Sequence, residues 1–402
     1  MRDPYARLDD ERAQHAIAWH ESDGRWLTFT HAAASAVLRD RSLGRLWADH
    51  EPAAQMEPFN LLHRHQMMEN EPPEHTRLRR AVARAFSRGH VERLGPRIDA
   101  LAGELLDAVA AADQAGDGSF DLIEAYAEPL PVLMIAELLG VPADWADDLR
   151  RWSQAIVAMY EPAPTQAVRE AAVAAATDFA DAVRELAEAR RADPREDLIT
   201  HLVAETSLTP TEVVASVVLL LNAGHEASVN ALGNGIVALL GAGATLAEAS
   251  AQHASEDLVE EMLRVDSPLQ LFERTATRDV EVGGVTVQAG EKVAALLGAA
   301  HRDPAAYAEP ARLVPGRDGP AHLAFGVGLH HCVGSPLARL ELTTALDVLR
   351  ARLPALRLHG EPERRHGFVL RGYAAVPVAT APVTTVPVAP VPVTAARAAT
   401  SG

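Results

Sequence analysis

Phe325-Gly326-Val327-Gly328-Leu329-His330-His331-Cys332-Val333-Gly334 decides how the chain is read, because Cys332 is the only cysteine in 402 residues. One thiol excludes an internal disulfide and any zinc site that needs two thiolates. A free cysteine packs as a small inert hydrophobe unless its surroundings make it reactive. Here Gly326, Gly328 and Gly334 allow a tight backbone bulge around the thiol. SPLARLELTTALDVLRARL then reads as a helix that begins just past it. A helix N-terminus lowers a nearby thiol's pKa through its dipole and free N–H groups, and the thiolate is the form that binds metal. A single thiolate in a glycine-lined loop suits one axial position on a haem iron.

Outward from that loop, most of the chain reads as helix. Leu and Ala recur at three- and four-residue spacing over 91–111, 122–139, 144–160 and 167–192. Thr209-Pro210-Thr211-Glu212 supplies an N-cap, a first-turn proline and a glutamate at the third position. The apolar run behind it predicts a helix over 210–240, about 45 Å long at 1.5 Å per residue. Near its middle, Ala223-Gly224-His225-Glu226-Ala227-Ser228 costs helix stability, which implies a close backbone approach and a polar channel. Strand-like alternation is confined to short pieces, 278–294 around Gly283-Gly284 and 367–378. The fold class is therefore mainly α with small β-sheets. From 381 to 402 the chain is built almost entirely of Ala, Pro, Val and Thr, which denies it helix and central strand and predicts a disordered or extended tail.

Apolar residues make up 48% of the chain, enough for a substantial core. Acidic residues number 55 against 37 basic ones, a net charge of −18 that argues against a general nucleic-acid or anionic-membrane binder. The charged N-terminus, MRDPYARLDDERAQH, has no apolar core and is not a secretory signal. The most apolar stretch, 213–247, is punctuated by Asn222, His225, Glu226 and Asn230 and suits a buried helix better than a membrane span. A soluble, cytoplasmic protein is the expectation. Neither a flavin nor a nicotinamide fingerprint is present, and no thiol remains for an iron–sulfur cluster.

The cysteine stretch resembles the haem-binding loop of the cytochrome P450 family, FGxGxHxCxG, at every named position. Other signatures follow in the family's order. Glu261 and Arg264 match its ExxR pair, and Gly224 and Glu226 match the AGxE of its long central helix. His75 and Arg79 match HxxxR, Arg274 matches the arginine after the ExxR helix, and Arg312 resembles the meander arginine. The resemblance runs from about residue 4 to 378. It implies one haem-thiolate monooxygenase domain over 1–380, with haem b (iron protoporphyrin IX) between the central helix and the cysteine loop. Cys332 would be the axial ligand. His75, Arg79, Arg274 and His330 would serve the propionates, with Phe325 and Gly326 in the cofactor loop. Glu261, Arg264 and Arg312 would form a buried structural cluster, and His331 and His322 would pack.

One position departs from the pattern. The family commonly places a threonine directly after the central acid, where its hydroxyl orients water. Here Glu226 is followed by Ala227, and Ser228 lies about 100° further round the helix. Some macrolactone hydroxylases and aromatic coupling enzymes of the family share the gap. A hydroxyl or water held by substrate is expected to complete the proton relay, with His225 a lesser candidate. The resemblance further implies a pocket lined by 59–68, 219–227, 269–272 and 368–370. His63-Arg64-His65 could meet a carboxylate or a carrier-protein phosphate. Electrons would come through a ferredoxin and its NAD(P)H-dependent reductase, docking on Arg77, Arg80 and Arg339. The expected reaction is hydroxylation or epoxidation of a hydrophobic natural product by a monomer. Oxidative coupling of aromatic substrates is the alternative, and a haem-binding sensor without oxygenase activity is the rival from another class.

Overall fold

The computed structural model describes residues 3–112, 118–205, 207–241 and 243–380. The tail expected at 381–402 lies outside them. The helices that position the site are α1 (Ala53–Arg64), α2 (Glu74–Ala83), α3 (Pro129–Leu139), α4 (Ala146–Val157), α5 (Gln166–Ala192), α6 (Pro210–Leu240), α7 (Ser255–Val265) and α8 (Ser335–Arg352).

The predicted cap of α6 forms as read. Thr209 Oγ1 accepts the Glu212 N–H at 3.3 Å, and the Glu212 carboxylate accepts the Thr209 N–H at 2.8 Å. Thirty-one residues of helix follow, apolar on nearly every side, as suits a core helix. It is the one described helix long and apolar enough to cross a membrane, and most of it is buried inside the protein. Prolines break two of the other expected helices. The run over 91–111 divides into Arg88–Glu92 and Gly95–Ala112, because Pro96 is tolerated only in a first turn. The run over 122–139 opens with one π turn, Ile123–Ala127, before Pro129 starts α3.

Sheets occupy the edges. Strands β1 (Ile17–His20), β2 (Arg25–Thr28), β3 (Leu43–Gly44), β4 (Leu271–Ala276) and β7 (Lys292–Leu296) form one sheet in the order β1-β2-β7-β4-β3. Only β2–β7 is parallel. Between β4 and β7, β5 (Val280–Val282) and β6 (Val285–Val287) form the predicted hairpin, turning at Gly283-Gly284. The 367–378 alternation is only partly strand. Strand β9 (Tyr373–Ala375) pairs with β8 (Glu363–Arg364), whereas 367–370 is loop, tied to the fold by a bridge between Leu269 and Leu370. The main core packs α1, α3, α4 and α5 around α6, with Phe59, Leu139, Phe179 and Val217 inaccessible to solvent.

Candidate active site

The cysteine loop is tied down by its backbone. The Cys332 N–H donates to the Phe325 carbonyl at 2.9 Å and the His331 N–H to Gly328 at 3.2 Å. Gly326 and Gly328 both have φ in the left-handed region, 64° and 80°. At Gly328 a Cβ would stand 2.6 Å from the Leu38 carbonyl oxygen, so only glycine fits. Cys332, at the start of α8, is exposed as a residue, while its sulfur is desolvated against the loop around it. The N–H groups of Gly334 and Ser335 bond its sulfur, and the Arg79 and Arg339 charges favour thiolate, yet burial outweighs them and pushes the thiol up. The helix-terminus effect expected from sequence is thus present but loses to desolvation in the polypeptide alone. A coordinated metal reverses the balance, because it deprotonates a coordinating thiol outright.

Four cationic or hydrogen-bonding groups gather beside this loop. Arg79 donates to the His331 carbonyl at 2.7 Å. His75 and His330 stand with ring centroids 4.6 Å apart. Buried His75 keeps Nδ1 without a partner, and burial pushes its pKa down to about 4. Arg274 is 3% exposed, donates to the Glu273 carbonyl at 2.8 Å, and has no ion pair among the described residues. Burial brings its pKa down to about 9, a sign of a cation short of counter-charge. An acidic frame that sequence reasoning missed surrounds them. Glu71 accepts the His330 Nε2 at 2.8 Å and the Arg45 N–H at 2.7 Å, while Glu69 pairs with the Arg45 guanidinium. An exposed cysteine, an under-paired buried guanidinium and an orphaned imidazole nitrogen fit an iron porphyrin with two propionates.

Helix α6 contributes its one open stretch. It is buried from Glu212 to Leu240 except at Ala223, Gly224 and Ala227, which share a face. Gly224 is required by α3 rather than by a ligand, since a Cβ there would stand 2.7 Å from Ile135 Cγ1. A row of paired polar side chains leads sideways from Glu226. Glu226, 4% exposed, accepts from Arg365 at 3.1 Å, and Arg365 stands 3.8 Å from Glu128. Glu128 in turn accepts from Gln154 at 3.1 Å. His225 donates from Nδ1 to the Leu221 carbonyl, 2.8 Å away, and its Nε2 stands 3.7 Å from Glu226. Burial raises the Glu226 pKa, but His225 and Arg365 outweigh it and hold the carboxyl below its usual range. Ser228 is buried and off the open face.

The ExxR pair forms one buried ion pair, with Arg264 Nε 2.6 Å and Nη2 2.9 Å from the two Glu261 oxygens. Arg264 also donates to the carbonyls of His301, Pro310 and Arg312 at 2.7–2.8 Å. The third side chain is Arg317, whose Nε reaches Glu261 at 2.8 Å. Arg312 supplies only its carbonyl, and its own guanidinium turns outward to Glu309. The meander register differs from the sequence reading by five residues, which no local pattern marks.

The remaining expectations divide. His63 is buried, and Arg64 is held by Asp49 and Glu57, so neither offers a free cation to a carboxylate or phosphate. Arg77 is committed to Glu212 and Arg339 to Glu260, while Arg80 is exposed. His322 stands 3.0 Å from Glu260, and Phe325 lies under the Arg339 guanidinium at 4.4 Å.

The family described as Cytochrome P450 matches residues 255–350. Over 385 residues, 93% of this chain and 89% of the relative, the chain is 37% identical to cytochrome P450 monooxygenase PikC of Streptomyces venezuelae. It is also 37% identical, over 93% of this chain and 94% of the relative, to mycinamicin IV hydroxylase/epoxidase of Micromonospora griseorubida. Among solved structures, P450BioI in complex with hexadec-9Z-enoic acid ligated acyl carrier protein superposes with a TM-score of 0.89. That likeness covers 94% of this chain and 98% of the other, at 30% identity.

Proposed function

This chain belongs to the cytochrome P450 family, and from that membership we propose that it is a monooxygenase inserting one oxygen atom of O2 into a hydrophobic, macrolide- or polyketide-like natural product. Haem b, when bound, supplies the binding and two-electron reduction of O2, with RH + O2 + 2e⁻ + 2H⁺ giving ROH + H2O. Cys332 would ligate its iron, and Arg79, Arg274, His75 and His330 would hold its propionates. The observation that carries the reading is the lone exposed cysteine, with an under-paired buried guanidinium beside it.

The chain's own residues must deliver two protons. Glu226 is held ionised by Arg365, which leaves it able to accept a proton from water and pass it toward the open face of α6. Ala227 offers no hydroxyl there. A hydroxyl of the substrate, or a water that it holds, bridges the gap. A ferredoxin and its reductase supply the electrons, approaching the Cys332 side where Arg80 is exposed. The committed state of Arg64 favours a freely diffusing substrate over a carrier-bound one.

Turnover of macrolactones with a purified ferredoxin and reductase tests the reading by product mass. A gain of one oxygen supports it, and a loss of two hydrogens points to oxidative coupling instead. In the same assay Ala227→Thr is expected to leave coupling of electrons to product unchanged or lower. A several-fold rise would show that substrate assistance is wrong.

A further inference from the structure

We propose that Glu161 is a positioning residue that pins the 367–370 segment as a wall of the substrate space, and that with Tyr160 it makes the fastening that opens for substrate to pass. This rests on the monooxygenase reading for what passes. Glu161 follows the short turn Ala158–Tyr160 at the end of α4. Its carboxylate accepts three consecutive N–H groups from a stretch more than two hundred residues away: Phe368 at 2.7 Å, Val369 at 2.8 Å and Leu370 at 3.3 Å. Buried N–H groups need partners, and the Leu269–Leu370 bridge is the only strand-like pairing of this stretch.

Tyr160 fastens the other side. His63 Nδ1 stands 2.8 Å from the Phe59 carbonyl, which fixes the proton on that nitrogen. Nε2 is then free to accept from the Tyr160 hydroxyl at 3.3 Å. The His63 ring is itself locked between Phe59 and Trp47, with centroids 4.1 and 4.6 Å away. Two adjacent residues thus bolt one turn to α1 and to the 367–370 loop.

Both anchorages lead to the site. The Val369 carbonyl accepts the Gln270 N–H at 2.9 Å, and two residues on, Phe272 lies against Gly326 of the cysteine loop. Helix α4 touches α6 through Ser153 and Asn222, 2.5 Å apart and next to Ala223 on the open face. The turn at 158–161 therefore joins α4, which touches α6 beside that face, to the 367–370 loop.

The test uses the full-length, haem-loaded protein, with phenylimidazole as the probe and its Soret shift followed by stopped flow. Amide hydrogen exchange of residues 368–370 is measured alongside. In Glu161→Ala those amides are expected to lose about tenfold in protection, and azole association and dissociation to speed up together by a similar factor, leaving Kd nearly unchanged. Glu161→Gln, which keeps one acceptor, falls between. Tyr160→Phe speeds the azole rates with amide protection intact. Unchanged protection in Glu161→Ala overturns the proposal, as do rates within about twofold of the parent when protection is lost. A wild-type protein that binds no azole at all instead overturns the haem-thiolate reading, and the proposal with it.

Discussion

Glu341 lies in α8 with 3% exposure and no partner for its Oε1, and burial pushes its pKa up to about 8. The folded protein therefore keeps a proton that the unfolded chain releases near pH 4.5. Stability falls as pH rises between those values, by up to about 1.4 kcal/mol per pH unit. Denaturant titrations of Glu341→Gln should show the variant gaining on the parent as pH goes from roughly 5 to 8, and levelling off above that. Glu226 shows the opposite balance, held ionised by His225 and Arg365. Arg365→Leu removes one of those charges and leaves burial to raise the carboxyl. The acid limb of the kcat/KM profile is then expected to move to higher pH, which coupled turnover across pH measures. Cys332, Glu226 and Ala227 could be singled out from one sequence because each sits in a fixed spacing, and the structure places the first at the start of α8 and the other two on α6. Arg365 and Glu161 were not, since each acts on a partner more than a hundred residues away and no spacing records it.

At the scale of elements, α6 was legible to the residue because Thr209, Pro210 and Glu212 form its cap locally. Amphipathic periodicity found the helical runs over 91–111, 122–139, 144–160 and 167–192, but not the interruptions that Pro96 and Pro129 impose on the first two, nor α1 and α2. The 367–370 stretch alternates like a strand and is loop, because its N–H groups are taken by a carboxylate rather than a neighbouring strand. The meander register was misread for a related reason: whether Arg312 or Arg317 reaches Glu261 depends on how the loop after Tyr307 folds back, and both are arginine. Arg317→Met leaves a buried carboxylate without one of its donors, whereas Arg312→Met removes only a surface pair. Thermal or denaturant unfolding should find the first costing about 1–3 kcal/mol and the second less than about 1 kcal/mol.

Across the whole molecule, α6, with its one open stretch at 223–227, and α8, which starts beside the thiol, pack against each other. Beside the cysteine loop Arg274 is buried with no ion pair among the described residues, in a chain whose net charge is −18. The fold class was readable from helical periodicity and the resemblance carried by the cysteine loop. The acidic frame of Glu69 and Glu71 was not, because the stretch before α2 meets Arg45, just after β3, and His330 of the cysteine loop only in three dimensions. The central claim is that Cys332 ligates the haem iron, and the spectrum of the reduced, carbon monoxide-bound protein tests it most directly. Wild type should show the red-shifted Soret band of a thiolate-ligated haem, and Cys332→His should lose that shift while keeping pigment. A red-shifted band that survives the substitution, or none in the haem-loaded wild type, would contradict the account.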